Sequence, residues 1–375
     1  DVFKRNNPAH QAWLDETLLP ADADSTIYPV NQPLIVVEAT YMLPTSALAT
    51  TAEAAAISHH SDEYSKLCDT ATALSYQDRE AYVRGIAEIV FCPCLTMEEE
   101  WRRDHTWSDW SGRVFSAERE WLYITEQAAV EEKTAVGMHE QGRGGLTITD
   151  FRDHINKELA AVGGEPLTLD EVISGRLYSG PGYQKLNNDF LRRVGSVDVR
   201  EWRQRLAQVP SFTYSSTIMH LTTLITKLCV INESKLKEGE EMLLYRGVSG
   251  VLPASFFVPD AQGMITAVDT GMMSTAGQRE TPIHYIKGGV GVLFVLHCTR
   301  ADATTGEKHI GAVLEPISQY PGETETLFPP LTMLTVLKDE AGEFMIYEKK
   351  ETKAGADGKE EVVVIKEIHV RPSFV

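Results

Sequence analysis

The order of periodic segments along the chain predicts an α+β fold, in which helices precede a mainly antiparallel β-sheet. Helical patterns dominate the first half, and strand-length apolar runs dominate after Gly239. The two kinds of segment do not alternate strictly, as they would in a doubly wound parallel sheet. A hydrophobic fraction of 43% in 375 residues supplies enough apolar surface for a buried core.

The first third of the chain reads as irregular and then helical. Five prolines within residues 1–44 interrupt any long helix there. Alanine-rich segments between residues 45 and 90 predict two helices. Residues 97–135 predict a further helical stretch, because glutamates follow Met97 in what would be its first turn.

A glycine cluster at Gly142, Gly144 and Gly145 marks a change in the character of the sequence. It predicts two parts: a mostly helical region of unassigned role over residues 1–145, and a second domain over residues 146–375. Three more helices are predicted at residues 168–173, 186–208 and 217–230.

Strand patterns then follow one another to the end of the chain. Five strands are predicted at residues 242–246, 291–297, 331–337, 344–348 and 362–369. Asp357-Gly358 lies between the last two and is a hairpin turn signal. The second domain is therefore expected to end in a sheet.

The charge balance excludes several classes of partner. The chain carries 35 basic and 54 acidic side chains, a formal net charge of −19 at pH 7. Nucleic acid and anionic membrane surfaces both attract basic proteins, so neither is expected as a partner. No apolar run approaches the roughly 20 residues that span a bilayer. The chain is expected to be soluble, and its oligomeric state stays open.

The cysteines and histidines give no clear sign of a disulfide framework or a metal site. Five cysteines in this length are best interpreted as buried or idle thiols, which favours the cytoplasm. A leader removed ahead of Asp1, with a secreted or organellar location, is the alternative to the cytoplasm. His59 and His60 lack the spacing of zinc ligands, so no metal is expected. The glycines at 288–291 precede a strand, whereas a dinucleotide fingerprint opens a helix.

Two motifs in the second half carry chemistry. Arg246 ends an apolar strand and is followed by Gly247. The guanidinium fork can hold phosphate or ribose oxygens, and a glycine lets the backbone approach a ligand. Ser274 and Thr275 form a hydroxyl pair where a loop enters a strand.

A third motif consists of two acids. Glu323 and Glu325 precede an apolar run and are two residues apart. In an extended segment such residues point to the same side. Ile317-Ser-Gln-Tyr-Pro-Gly precedes the pair, and Leu327-Phe-Pro-Pro follows it.

The order of arginine, Ser-Thr and Glu-x-Glu resembles the R-S-E class of mono-ADP-ribosyltransferases, in particular its arginine-specific members. These include vertebrate ecto-ADP-ribosyltransferases and actin-modifying bacterial toxins. The sequences around the two glutamates resemble that family's loop. The resemblance extends upstream to Tyr178, Tyr183 and Asn187, which match the segment lining the NAD site, and to Tyr285, which matches an aromatic residue placed against nicotinamide. It covers roughly residues 146–375 and implies an ADP-ribosyltransferase fold.

The resemblance implies transfer of ADP-ribose from NAD to arginine side chains of an acceptor protein, with release of nicotinamide. Glu325 would bond the ribose 2′-hydroxyl and stabilise the oxocarbenium-like ribose of the transition state. Glu323 would attract the acceptor guanidinium and help remove its proton, because a guanidinium pKa above ~12 makes that group a poor nucleophile.

The remaining residues are implied to bind NAD, the co-substrate. Arg246 would hold its phosphate or ribose, and the Gly247 backbone its carboxamide. Ser274 would hold Glu325 and the ribose, while Thr275 supports the strand. Tyr285 would stack on nicotinamide, and the other three residues, Tyr178, Tyr183 and Asn187, would line the pocket.

One departure and two alternatives stand beside this interpretation. Ala276 replaces the third hydroxyl of the family's Ser-Thr-Ser triplet, which puts full activity in question. The same site could act as an NAD glycohydrolase, with water as the acceptor. The domain could also be a non-catalytic binding or assembly subunit with an ADP-ribosyltransferase-like fold.

Overall fold

The computed structural model describes most of the chain after residue 94. The described ranges are 95–102, 106–108, 113–130, 142–191, 214–252, 254–260, 262–269, 271–286, 289–302, 306–354 and 360–374. The helices predicted between residues 45 and 90 lie outside them, as do His59, His60 and the Asp357-Gly358 turn.

The described residues form two compact units. One comprises residues 95–231 and 312–324 and is mostly helical; we call it the helical unit. The other comprises residues 232–311 and 325–374 and contains most of the strands; we call it the sheet unit. The boundary predicted after residue 145 stays a prediction, because residues 1–94 are outside the described ranges.

The helical unit contains five helices and a short strand pair among its described residues, the last helix running on past its boundary. The elements are α1 (Met97–Trp101), β1 (Thr106–Ser108), β2 (Val114–Ser116), α2 (Ala117–Glu126), α3 (Ile148–Ala161), α4 (Leu169–Leu177) and α5 (Ser215–Lys235). The continuous helical stretch predicted over residues 97–135 is wrong, since β1 and β2 pair antiparallel within it. Trp107 stacks on Phe115 across that pair, a cross-strand contact that helical periodicity does not register.

Side-chain caps define where the helices begin. Thr168 caps α4, and Glu171 completes a capping box with it, which confirms the helix predicted at residues 168–173. Thr147 and Asp150 do the same for α3. The Glu100 carboxylate accepts hydrogen bonds from the backbone amides of Ser216 and Thr217 at the start of α5, at 2.7 and 2.9 Å.

Past α4 the helix winding becomes irregular. Residues Tyr178–Gly182 and Gln184–Leu191 are π-helical, and Gly180 has non-helical dihedral angles that kink the chain. The helix predicted at 186–208 starts within the second π-helical segment, and its part after residue 191 lies outside the described ranges up to residue 213. Single π-helical turns such as Tyr178–Gly182 are frequent at functional sites.

The strands that follow α5 are mostly paired antiparallel. They are β3 (Met242–Ser249), β4 (Thr266–Asp269), β5 (Met273–Ala276), β6 (Val290–Cys298), β7 (Ala312–Val313), β8 (Glu325–Phe328), β9 (Thr332–Val336), β10 (Ile346–Ala354) and β11 (Glu360–Ser373). One short helix, α6 (Glu280–Tyr285), lies between β5 and β6.

Within the sheet unit, the strand order is β4-β9-β11-β6-β3-β5-β8. β9 pairs with residues 370–373 of β11, and β10 pairs with residues 360–368 of the same strand. β6 and β11 pair parallel, and the other six registers between described strands of the sheet unit are antiparallel. The α+β class with a mainly antiparallel sheet is confirmed. β6 is the apolar centre, with Leu293, Phe294 and Leu296 fully buried.

All five predicted strands exist, with shifted ends. The hairpin strands are longer than predicted, because β10 pairs with β11 residue by residue from Ile346↔Ile368 to Ala354↔Glu360. The short strands β4 and β7 were not predicted. No described helix is long and apolar enough to cross a membrane.

Candidate functional site

Three adjacent strands of the sheet unit bring together the arginine, serine and glutamate singled out in the sequence. Arg246 lies on β3, Ser274 on β5 and Glu325 at the first position of β8. β5 pairs with β3 on one side and with β8 on the other. Neighbouring strands are about 4.8 Å apart, so residues separated by 28 and 51 positions in sequence become close neighbours.

Arg246 is fixed by two contacts and is only 11% exposed in its side chain. One terminal nitrogen, Nη2, lies 2.9 Å from Oδ2 of the fully buried Asp269 carboxylate. The other, Nη1, donates to the Ser274 carbonyl oxygen at 2.9 Å. The arginine therefore holds the backbone of β5 at Ser274. Its predicted contact with NAD stays a prediction.

Strand register places Ser274 and Glu325 on the same face of the sheet. Glu325 lies directly opposite Ala276, and Ser274 is two residues away from Ala276 along β5. Diagonal neighbours of this kind have Cα atoms about 7–8 Å apart. Tyr245 of β3 lies opposite Ala276 on its other side. The row across the three strands is therefore Tyr245, Ala276 and Glu325.

Thr275 points to the opposite face and is buried. Its hydroxyl donates to the carbonyl oxygen of Thr326 at 2.8 Å. This bond ties β5 to β8 one residue from Glu325.

A sharp turn precedes Glu325. Residues Pro321–Glu323 form one 3-10 turn, and Thr324 follows with φ 44° and ψ 41°. A β-branched residue in the left-handed region is an outlier, and such conformations cluster at functional sites. The turn separates Glu323 from Glu325. The segment is therefore not extended across the two acids, because a left-handed residue breaks the alternation between them.

Gly247 has a packing role that the sequence did not disclose. A Cβ at this position would lie 2.5 Å from the carbonyl oxygen of Pro282, so only glycine lets α6 approach β3 this closely. Tyr285 stands at the end of α6 and is 68% exposed. Its ring is open to solvent, as a ligand-stacking ring would be.

Ion pairs hold α6 on the hairpin. Arg279, which precedes α6, contacts Glu351 at 2.8 Å and Glu367 at 2.7 Å. Burial alone would raise the pKa of Glu367, but hydrogen bonds from Lys349, Arg279 and His369 outweigh it and lower that pKa to about 2. Glu367 is therefore charged at neutral pH, and the helix that carries Tyr285 is anchored electrostatically.

The other predicted site residues belong to the helical unit. Tyr178 is buried, and its hydroxyl accepts a hydrogen bond from the Asn187 side chain at 3.0 Å. Tyr183 is 42% exposed. Glu323 ends the 3-10 turn. The roles of these four residues stay predictions.

Two residues beside Arg246, Ser274 and Glu325 were not singled out from the sequence. Asp269 holds Arg246, and Tyr245 shares the face of Ser274 and Glu325. The sequence shows only that Asp269 follows the short segment 265–268, and its partner Arg246 becomes known only from the tertiary structure. Among the described residues, no group of three histidine, cysteine or acidic side chains could hold a metal ion.

Comparisons with known proteins give structural likeness only. No family model and no curated protein matches the chain. The ADP-ribosyltransferase toxin Plx2a from Paenibacillus larvae aligns with 14% identity over 60% of this chain and 94% of its own, at a TM-score of 0.32. The ADP-ribosyltransferase HopU1 of Pseudomonas syringae pv. Tomato aligns with 16% identity over 67% and 95%, at 0.36. A mutant of the eucaryotic mono-ADP-ribosyltransferase ART2.2, in complex with NADH, aligns with 13% identity over 60% and 77%, at 0.31.

Proposed function

We propose that this protein transfers ADP-ribose from NAD to arginine side chains of an acceptor protein. The observation that carries the proposal is the placement of Arg246, Ser274 and Glu325 on three adjacent strands. Their order in the sequence prompted the resemblance to arginine-specific mono-ADP-ribosyltransferases. Their positions on neighbouring strands support the proposal of a shared site.

The reaction exchanges one bond at the ribose. The bond between C1′ and the nicotinamide nitrogen breaks, and its electron pair leaves with nicotinamide. A guanidinium nitrogen of the acceptor forms the new bond to C1′ and gives up one proton. The ribose carries positive charge in between, so a fixed carboxylate beside it lowers the barrier.

Glu325 is the proposed carboxylate. It is half-buried at the start of β8, where the register with β5 fixes its backbone. Ser274 lies on the same face and is proposed to hold both Glu325 and the ribose. Arg246 keeps that part of β5 in place through the Ser274 carbonyl.

Glu323 is proposed to take the proton from the acceptor. A guanidinium is almost fully protonated at neutral pH and needs a neighbouring base to react. Tyr285 is proposed to stack on nicotinamide. Tyr178, Tyr183 and Asn187 are proposed as NAD contacts on the strength of the sequence resemblance alone.

The decisive experiment incubates the full chain with radiolabelled NAD and agmatine, a small guanidinium compound. We expect label transfer and nicotinamide release in the wild type. Glu325→Gln keeps the size of the side chain and removes its charge, so both readouts should fall by about 100-fold. The exposed Glu340 supplies the matched control, and Glu340→Gln should leave both unchanged.

Glu323→Gln separates the two acids. We expect it to lower transfer to agmatine more than NAD hydrolysis. Nicotinamide release without transfer in the wild type would favour the NAD glycohydrolase alternative. A wild type that neither binds nor cleaves NAD would favour the non-catalytic subunit and reject the proposal.

A further inference from the structure

The segment that leads into Glu323 is held by several side chains within the helical unit. We define residues 315–320 as the stem. Arg143 donates to two stem carbonyl oxygens, those of Glu315 and Ser318. Arg176 donates to a third, that of Ile317, at 3.0 Å. Three backbone carbonyl oxygens of the stem therefore accept hydrogen bonds from guanidinium groups.

The stem also reaches back to the kinked π-helical turn. The Gln319 side chain is fully buried, and its Nε2 donates to the Arg176 carbonyl oxygen at 2.7 Å. The backbone N–H of Gln319 donates to the Ser179 hydroxyl oxygen at 3.0 Å. These bonds connect the stem to the segment of Tyr178 and to the end of α4.

Two glycines make this contact close. A Cβ on Gly175 would lie 2.6 Å from the side chain of Ile317. A Cβ on Gly180 would collide with the side-chain amide of Gln319. Close approach of backbone to side chain is the reason glycine is needed at both positions.

We propose that Arg143 and Gln319 are positioning residues for acceptor arginine: they fix the stem, and the stem fixes where Glu323 stands. The inference rests on the proposed function of Glu323. Only three residues separate Gln319 from Glu323, so a stem that shifts carries Glu323 with it. Positioning errors of about 1 Å can cost up to 100-fold in rate.

Arg143 gives this inference an additional consequence. It lies ahead of residue 146, where the resemblance begins, and so belongs to the region whose role the sequence left unassigned. Its two hydrogen bonds give that region a function in the reaction. The half-buried side chain also lies 5.8 Å above the ring of Phe151 on α3, which orients the guanidinium.

The test compares transfer with hydrolysis in the full chain. Arg143→Ala, Gln319→Ala and Gly175→Ala each disturb the stem from a different side. We expect the ratio of agmatine labelling to NAD hydrolysis to fall by about fivefold or more in each, with the KM for NAD within about threefold of wild type. Arg143→Lys, which keeps one donor, should recover part of the ratio.

Two exposed residues of the helical unit supply matched controls, Arg119→Ala and Gln127→Ala, and should leave the ratio unchanged. Hydrogen exchange of the peptide covering residues 315–324 supplies a readout independent of activity. It should become faster in the three stem variants and stay unchanged in the two controls.

The outcomes separate the two hypotheses. If the wild type is active and the stem variants keep its ratio per folded molecule, the positioning role is wrong, even if they are less stable. Unchanged hydrogen exchange in the stem would reject it as well. A wild type that releases no nicotinamide rejects the proposed function itself, and the role assigned to the stem falls with it.

Discussion

The two units hold their proposed site residues in different ways. In the sheet unit, strand pairing between backbones places Ser274 and Glu325, and side chains play a small part. In the helical unit, the stem is placed by side chains that bond to backbone carbonyl oxygens, chiefly Arg143, Arg176 and Gln319. Backbone pairing survives most substitutions, whereas a side-chain bond is lost with one.

The comparison has one exception in each unit. Arg246 in the sheet unit is a side chain whose loss we expect to be severe. Glu120 in the helical unit is a buried carboxyl whose Oε2 accepts no hydrogen bond from the described residues. Glu100, by contrast, caps α5. These exceptions and one ordinary strand contact give three predictions, ordered by expected effect.

The largest effect should follow Arg246→Met. This change leaves the carboxylate of Asp269 buried without its counter-charge, and removing one partner of a buried pair costs about 3–5 kcal/mol. Urea denaturation should show that loss in the free energy of unfolding. Arg371→Met, at an exposed position on β11, should cost under about 0.5 kcal/mol.

A double variant checks the cause. Arg246→Met combined with Asp269→Leu removes both charges, so it should be more stable than Arg246→Met alone. If the double variant were as unstable as the single one, packing rather than the unpaired charge would explain the loss. The sheet unit would then depend on side chains as much as the helical unit does.

An intermediate effect is expected at Glu120, and it depends on pH. Burial raises the pKa of Glu120 from 4.5 to about 8. The folded state thus favours the protonated form, so the stability it contributes is complete below pH 4.5 and is lost as the pH rises through about 8.

Glu120→Gln removes the titrating group, so thermal unfolding should show stabilisation by roughly 3 kcal/mol at alkaline pH and little change in acid. The full pKa shift corresponds to somewhat more, but a buried amide is also poorly solvated. Glu118→Gln, exposed on the same helix, should be neutral at both values. A stabilisation independent of pH would contradict the assignment to the carboxyl.

The smallest effect should follow Thr275→Val. It removes one hydrogen bond to the Thr326 carbonyl and keeps the shape of the side chain, which costs about 1 kcal/mol. The exposed strand residue Thr352 is the matched control, and Thr352→Val should cost less. A loss above about 3 kcal/mol would show that the register of β5 and β8 depends on this side chain.

Local signals in the sequence account for much of the fold. Thr168 with Glu171 marks the start of α4, and the apolar run of β6 is visible at once. The interruption at β1 and β2 was missed, because Trp107 and Phe115 gain their strand conformation from each other. The short strand β4 was missed for a different reason, since its partner β9 lies more than 60 residues away.

The candidate site divides in the same way. The residue types and order of Arg246, Ser274 and Glu325 could be read directly. The sequence could not show that Asp269 is the partner of Arg246, or that Arg143 donates hydrogen bonds to the stem. Both are contacts between side chains and distant segments, and no periodicity encodes them.

By itself the sequence determined the α+β class, the positions of most strands and the residues in which chemistry is concentrated. These depend on local periodicity, capping and residue type, which act over a few positions of the chain. The tertiary structure alone decided that Ser274 and Glu325 share one face and that Thr324 turns the chain between the two glutamates. It also decided that Arg246 forms an ion pair with Asp269. Strand register and burial set those relations, and both arise only when distant segments pack together.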